Sequence, residues 1–214
     1  MPLQPKHREQ VEALAEQLRS VRENVWRADA NARKDLVVHA KHLCGGATDL
    51  ALSSLLRLKR AGPPVPATRG FATRLKVGIA SCCHHRCDTR TYVGFSFLEE
   101  AIARASQREG RQHGGPGGDV GATPRGSSTF TLRELFDVLV ATSSWAVFGG
   151  KSSSGKQGKD AEEKLILGRI AKRLLDLGRL DFCRKELSCG NTGLVNYCPL
   201  DASPENGLLL AEES

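Results

Sequence analysis

Two short apolar runs, each ending in a group of polar and metal-ligating side chains, constrain the fold of this chain most. Residues 35–40 and 75–80 are short and rich in aliphatic side chains, as buried β-strands are. Lys-His-Leu-Cys-Gly-Gly follows the first run, and Ser-Cys-Cys-His-His-Arg-Cys-Asp follows the second. Because open α/β sheets carry their active sites at the carboxyl ends of parallel strands, we predict that both groups face one crevice.

Hydrophobic periodicity predicts the remaining elements. Helices are predicted over residues 6–27, 48–60, 95–106, 129–144 and 160–186. Thr48 or Ala47 caps the second helix, Gly178 is a point where the last helix could kink, and residues 145–148 are compatible with a short strand. Residues 194–198 and 207–211 are predicted strands joined by a Pro/Asn-containing turn. The order β-α-β-α-α-α-β-β predicts an α/β fold with a Rossmann-like sheet of about four strands, the last one antiparallel, and flanking helices.

The chain divides into a short leading segment and one main domain. Residues 1–34 are predicted to be an amphipathic helix and a linker, and residues 35–214 the domain. Glycine-rich stretches at 110–128 and 149–159 are predicted to be flexible insertions. Residues 150–157 match the spacing of a phosphate-binding loop except at Gln157, where a Mg²⁺-binding hydroxyl is required, so we interpret them as a linker.

Composition and cysteine use limit the class of protein. At 214 residues and 40% hydrophobic content, the chain can bury a core of its own. No run of 18 apolar residues occurs, so no membrane span is expected, and the first residues lack the apolar core of a signal peptide. Seven cysteines form no repeating frame, which favours free or ligating thiols in a reducing compartment, the cytoplasm or the nucleus.

The net charge of +7 is concentrated in one segment. Residues 57–111 hold eleven basic and four acidic side chains, while the rest of the chain is close to neutral. A local basic field beside the predicted crevice suggests a polyanionic substrate such as nucleic acid. Solvated surface lysines and arginines are the alternative explanation.

The second polar group also offers ligands for a tetrahedral zinc ion. Thiolate and imidazole are the donors that zinc prefers, but adjacent pairs cannot all face one ion, and no CxxC pair is present. The alternative is that these groups line a substrate pocket. The candidate ligands are Cys82, Cys83, His84 and Cys87, with His42, Cys44 and His85 nearby.

Five blocks of sequence, in order along the chain, together resemble one known family. They are residues 41–45 with 48–52 (KHLCG, TDLAL), 82–87 with 92–94 (CCHHRC, YVG), 143–146 (SSWA), 168–179, and 203–206 with 208–210 (SPEN, LLL). This series resembles the eukaryotic tRNA 2′-O-methyltransferases that modify the fourth nucleotide of the acceptor stem, the tRNA:m4X modification enzymes. The resemblance implies a class I methyltransferase that transfers a methyl group from S-adenosylmethionine to a ribose hydroxyl of tRNA.

The resemblance also suggests roles for individual residues. A ribose hydroxyl is a poor nucleophile, so a side chain must accept its proton while the methyl donor is held in line. Lys41 is the first choice for this catalytic role, followed by His84 or His85 and then Glu205. The implied cofactor-binding residues are His42, Cys44, Gly45 and Asp49, and the implied RNA-binding residues are Arg86, Arg90, Arg69, Arg74 and Asn206.

Residues 1–34 lack features that such an enzyme needs. A class I methyltransferase is expected to hold its cofactor with a glycine-rich loop and an acidic residue that precede these blocks, and neither is found. The chain therefore resembles the distal part of a methyltransferase domain. We expect weak cofactor binding by the chain alone, and an exposed edge at residues 35–40 that favours association with a second chain. A non-catalytic RNA-binding remnant and a metal- or partner-binding module are the alternative functions.

Overall fold

The computed structural model describes residues 5–28, 35–61, 74–112, 131–148 and 159–214. Four strands form one mixed sheet, with helices packed on one of its faces. The strands are β1 (Asp35–Leu43), β2 (Arg74–Ser81), β3 (Asn191–Asn196) and β4 (Gly207–Glu212). The helices are α1 (Pro5–Ala28), α2 (Gly46–Arg60), α3 (Phe95–Gln112), α4 (Leu132–Ser143), α5 (Trp145–Phe148) and α6 (Lys159–Lys185), and His84–Arg86 form a 3₁₀ turn.

The strand order is β1-β2-β4-β3, with β4 as the reversed strand. β1 pairs with β2 in parallel, and β4 pairs antiparallel with both β2 and β3. β3 therefore runs in the same direction as β1 and β2, and these three strands end at the same edge of the sheet. The predicted α/β class, the mixed four-stranded sheet and the final antiparallel strand are confirmed.

The main core lies between the sheet and helices α2 and α6. Alternate residues of β2 are buried, as expected for a strand with one covered face. Facing them are Leu52 and Leu55 of α2, Leu180 of α6, and Leu187, which follows α6. A second core, formed by Tyr92, Leu98, Phe136 and Leu175, joins α3 and α4 to α6.

Several predicted boundaries are wrong. α2 begins at Gly46 with Gly45 as its N-cap, while the Thr48 hydroxyl lies inside the first turn and donates to the Leu43 carbonyl at 2.8 Å. Residues 145–148 form a short helix rather than a strand. β3 ends at Asn196, two residues before the predicted end of this strand. α4 begins after Thr131, whose side chain and Glu134 form a capping box.

Gly178 does not end or divide α6, which continues from Lys159 to Lys185. Instead, Gly178 and Gly94 allow two backbone segments to cross closely. A Cβ atom at Gly178 would lie 2.1 Å from the Tyr92 hydroxyl and 3.2 Å from the Gly94 Cα atom. The Tyr92 hydroxyl donates to the Leu175 carbonyl at 2.9 Å, which holds the crossing in place.

The opposite face of the sheet carries exposed apolar side chains. Val37 on β1 is 61% exposed, and Val195 and Leu210 are exposed on β3 and β4. Within the described residues β1 pairs only with β2, so it is an edge strand as predicted. α1 packs against α2, with Val11 and Ala15 buried.

Parts of several predictions lie outside the described residues. The segment resembling a phosphate-binding loop is among them, as are most of both predicted insertions. α3 continues to Gln112, which includes the first residues of the predicted 110–128 insertion. None of the described helices combines the length and apolar character needed to span a membrane.

Candidate functional site

The carboxyl ends of β1 and β2 lie side by side, as the sequence predicts. Leu43 pairs with Ser81 across the last step of the ladder. A register shift interrupts β1 between Lys41 and Leu43, where His42 has a φ of 61°. This bulge redirects the chain before α2, and bulges of this kind are common beside active sites.

Arg179 of α6 lies at the centre of a buried polar cluster beneath this edge. Its side chain is 1% exposed. The guanidinium donates to both carboxylate oxygens of Asp49, at 3.1 and 2.8 Å, in a bidentate pair. It also donates to the Gly45 carbonyl at 3.1 Å and to the Cys87 sulfur at 3.2 Å. Arg179 thereby fixes the β1–α2 loop and the loop after β2 to α6.

Asp176, one turn earlier on α6, continues the cluster towards β2. It accepts from Arg179 at 3.1 Å and from the Ser81 hydroxyl at 2.9 Å, and it lies 2.8 Å from His84 Nε2. Burial opposes ionisation of this carboxyl, but the charge and hydrogen bond of His84, together with Arg179 and Ser81, outweigh it and lower the pKa of Asp176 to about 2. Asp176 is therefore a carboxylate at neutral pH.

His84 is held by this carboxylate and is 1% exposed. Its Nδ1 atom is buried and has no hydrogen-bond partner among the described residues. A carboxylate that accepts from one ring nitrogen fixes the orientation of the ring. The sequence prediction included His84 but missed Asp176 and Arg179, although their i, i+3 spacing on a helix places both on one face.

Three cysteines form a second cluster at the same edge. Cys44 Sγ lies 3.6 Å from Cys82 Sγ, and Cys82 Sγ lies 3.4 Å from Cys83 Sγ. All three sulfur atoms lie within 4.8 Å of one another, and all seven cysteines of the chain are free thiols. Burial raises the pKa of Cys82 to about 12, so this thiol is protonated at neutral pH.

The predicted metal ligands therefore belong to two different groups. Cys82 and Cys83 meet Cys44, which the prediction placed nearby, while His84 and Cys87 belong to the Arg179 cluster. Burial raises the pKa of Cys87 to about 12 despite the neighbouring Arg179. The sulfur atoms of Cys82 and Cys83, which are adjacent in the sequence, lie close together because the chain turns at Cys83 before the 3₁₀ segment.

The remaining predicted catalytic side chains lie apart from the buried clusters. Lys41 and His42 are exposed on β1, and His85 is exposed on the 3₁₀ turn. Glu205 lies on the β3–β4 connection, where it pairs with Lys172 of α6. The structure thus brings Gly45 and Asp49 together with His84 around Arg179, and it places Lys41 and Glu205 outside that group.

Most of the described basic side chains of segment 57–111 pair with acidic residues. Arg74 lies 3.3 Å from Asp35, and Arg90 pairs with Asp88. In the described part of the segment, Arg86 is exposed and lies in no ion pair, while Arg69 is outside the described residues. Five acidic residues from outside the segment also pair with it: Glu12, Asp35, Glu186, Glu212 and Glu213. Among the described residues, the charge excess seen in the sequence is therefore partly offset in three dimensions.

Fold and site together define an α/β domain whose polar clusters gather at the carboxyl edge of a mixed sheet. Comparison with known proteins shows the family. The family model described as Methyltransferase TRM13 matches residues 21–109 and 126–212. The chain belongs to this methyltransferase family, as its sequence motifs predict.

Curated relatives agree with this assignment. The tRNA:m(4)X modification enzyme TRM13 of Saccharomyces cerevisiae is 29% identical over 192 residues, covering 80% of this chain and 35% of the yeast protein. The mouse tRNA:m(4)X modification enzyme TRM13 homolog is 27% identical, covering 84% of this chain and 44% of its own length. The chain thus spans about a third to under half of these relatives. No solved structure matches.

Proposed function

We propose that this chain contributes to S-adenosylmethionine-dependent 2′-O-methylation of a ribose in the tRNA acceptor stem. The family match over residues 21–109 and 126–212 carries the proposal, because it includes both polar strand ends and the whole of α6. The names of the relatives as tRNA modification enzymes support tRNA as the substrate. Seven free thiols support a reducing compartment, the cytoplasm or the nucleus.

The sheet supports an incomplete class I methyltransferase architecture. Its reversed strand β4 lies between β2 and β3, the ending expected for that class. S-adenosylmethionine would supply the electrophilic methyl group. Of the four residues proposed to hold it, Asp49 is engaged by Arg179, and a Cβ at Gly45 would lie 2.1 Å from the Arg86 carbonyl. His42 and the backbone of Cys44 are therefore the proposed cofactor contacts, and Asp49 and Gly45 shape the loop that carries them.

Lys41 and the His84–Asp176 pair have different proposed roles. Lys41 is exposed at the end of β1, where a ribose hydroxyl can reach it, and we assign it to accept or orient the hydroxyl proton. His84 is buried, so the Asp176 contact orders the loop that carries Cys82 and Cys83. The two roles predict different effects on stability. Loss of Lys41 leaves the fold intact, whereas loss of His84 removes one of the three side chains that bind Asp176, beside Arg179 and Ser81.

The experiment uses a chimera in which this chain replaces the matching segment of the full-length yeast relative. Transfer of the methyl group from labelled S-adenosylmethionine to tRNA is measured, and the modified ribose is identified by mass spectrometry. Lys41→Ala is expected to lower turnover by about 100-fold, the lower range for a positioned proton-transfer group, with an unchanged melting temperature. Lys159→Ala, at an exposed lysine on α6, is the matched control. A chimera that folds and binds tRNA without methylating it would contradict the proposed activity.

A second proposal concerns the three-cysteine cluster, which we assign to a zinc ion. Zinc–thiolate bonds of about 2.3 Å in a tetrahedral site place two sulfur atoms about 3.8 Å apart. The separations of 3.6 and 3.4 Å are close to this spacing. Three thiolates from the ends of two adjacent strands would tie the β1–α2 loop to the loop after β2, with a fourth position left for water or another ligand.

Metal content of the purified 214-residue chain tests this site independently of activity. Protein prepared with zinc and then dialysed should retain about one zinc per chain, measured by mass spectrometry of the metal. Cys44→Ser should abolish retention, while Cys198→Ser, at a thiol outside the cluster, should not. Equal metal content in both variants, or none in the wild-type chain, would rule the zinc site out.

A further inference from the structure

A cavity of about 150 Å³ opens between α6, the ends of β2 and β3, and the β3–β4 connection. Its floor includes Ser81 and Asp176, which also belong to the Arg179 cluster. The cavity therefore shares a wall with the candidate site and opens at the same edge of the sheet. Asn206, which lies on its wall, was among the RNA-binding residues implied by the family resemblance, but the sequence did not predict the cavity.

One face of α6 lines the cavity with positive charge. Arg169, Lys172 and Arg173 lie at i, i+3 and i+4, so their side chains project from the same side of the helix. Lys172 pairs with Glu205 and donates to the Pro204 carbonyl at 3.0 Å. Arg169 and Arg173 are exposed, and in the part of the chain that the structure describes no acidic side chain lies within ion-pair distance of either. Two guanidinium groups thus remain available at the mouth.

The acidic groups nearby do not cancel this charge. Asp176 already interacts with Arg179, Ser81 and His84, and Glu205 is engaged by Lys172. Among the described residues, Arg169 and Arg173 therefore carry the positive charge that is available to a ligand at the mouth of the cavity. Guanidinium groups bind phosphate oxygens in a bidentate manner, which makes an anionic ligand with phosphate geometry the best match.

The opposite wall suits the rest of a nucleotide. The Asn206 side chain is 6% exposed, and its amide nitrogen donates to the Cys198 carbonyl at 2.6 Å, which leaves its oxygen as an acceptor. Asn196 adds a second amide, while Leu194 and Leu200 add apolar surface. A ribose hydroxyl matches the amide groups, and the apolar surface suits the face of a sugar or base.

We propose that this cavity binds the sugar–phosphate backbone of tRNA, with Arg169 and Arg173 on a phosphodiester and Asn196 and Asn206 on the adjoining ribose. The proposal rests on the proposed tRNA substrate and specifies where that substrate is held. It places the main phosphate contacts on α6 rather than in the basic segment 57–111, whose described charges are mostly paired.

Binding of tRNA to the full 214-residue chain at several salt concentrations tests the assignment. Arg169→Glu/Arg173→Glu should weaken binding at least 10-fold at low salt and reduce the salt slope by about 1 for each lost phosphate contact. Lys159→Glu/Lys164→Glu is the matched control, since it reverses two exposed charges on the same helix that do not line the cavity. Equal tRNA affinity of the two double variants would overturn the proposal while leaving the tRNA substrate intact.

Titration with inorganic phosphate tests the proposed anion site separately from the proposed tRNA substrate. The side-chain amide signals of Asn196 and Asn206 are followed by NMR as phosphate is added. Chemical-shift changes that are seen in the wild-type chain and disappear in Arg169→Glu/Arg173→Glu support an anion site. If the wild-type chain shows these changes but binds no tRNA, the anion site stands and the proposed tRNA substrate is wrong. Absence of shifts in the wild-type chain would overturn the cavity assignment.

Discussion

At the scale of single residues, Arg179 has the largest expected effect on stability. It is fully buried, and its charge is balanced by Asp49 and Asp176. Because removing one partner of a buried ion pair leaves the other charge uncompensated, Arg179→Met should lower the free energy of unfolding by about 3–5 kcal/mol. Urea denaturation measures this loss. Arg173→Met, an exposed arginine on the same helix, should change stability by less than about 0.5 kcal/mol. Comparable losses in the two variants would show that the buried pairing is not what stabilises the fold.

The buried carboxylate of Asp176 should make stability depend on acid pH. Its pKa is lowered to about 2 in the folded state, below the value of about 3.9 expected in the unfolded chain. Its contribution is thus fully present above about pH 4 and is lost as the pH falls towards 2, by on the order of 2 kcal/mol. Denaturation at a series of pH values measures this slope, which should be shallower in Asp176→Asn. Identical slopes for the variant and the wild-type chain would be inconsistent with an ionised Asp176.

At the scale of elements, the crossing of α6 with the segment before α3 depends on glycine. Alanine at Gly178 favours a helix by about 1 kcal/mol, but its Cβ would lie 2.1 Å from the Tyr92 hydroxyl. The overpacking should outweigh the helix preference, so Gly178→Ala should destabilise the protein by about 1–3 kcal/mol. Gly193→Ala is the control, because nothing lies within 4 Å of its Cβ position. A higher melting temperature for Gly178→Ala would mean that α6 and Tyr92 separate easily.

At the scale of the whole molecule, the open face of the sheet favours association. Val37 is 61% exposed on the edge strand β1, and further exposed apolar side chains lie on β3 and β4. Unpaired edge strands with apolar side chains promote pairing with other chains, and lysine on such a strand opposes it. Val37→Lys should therefore shift the chain towards the monomer in sedimentation velocity experiments. Val138→Lys, at a valine 54% exposed on α4, should leave association unchanged. A wild-type chain that is monomeric at all concentrations would contradict this prediction.

Local patterns in the sequence determined the elements and much of the candidate site. β2 occupies residues 74–81, around the short apolar run that predicted it, because such a run depends on only a few neighbouring residues. The meeting of Cys44 with Cys82 also followed from the sequence, since two parallel strands end at one edge. The sequence motifs identified the family because they are short local blocks, which can be recognised without knowing what they contact.

Tertiary structure alone decided the pairings of the Arg179 cluster. Asp49 and Arg179 are 130 residues apart in sequence, and no local period links them. Their pairing depends on α2 and α6 packing on the same face of the sheet. This packing removes both charges from water, so that each buried charge must be balanced by the other. Likewise, acidic residues from distant elements pair with many of the described basic side chains of residues 57–111, which the sequence could not show. The position of Arg169 and Arg173 at the α6 cavity follows from the same packing.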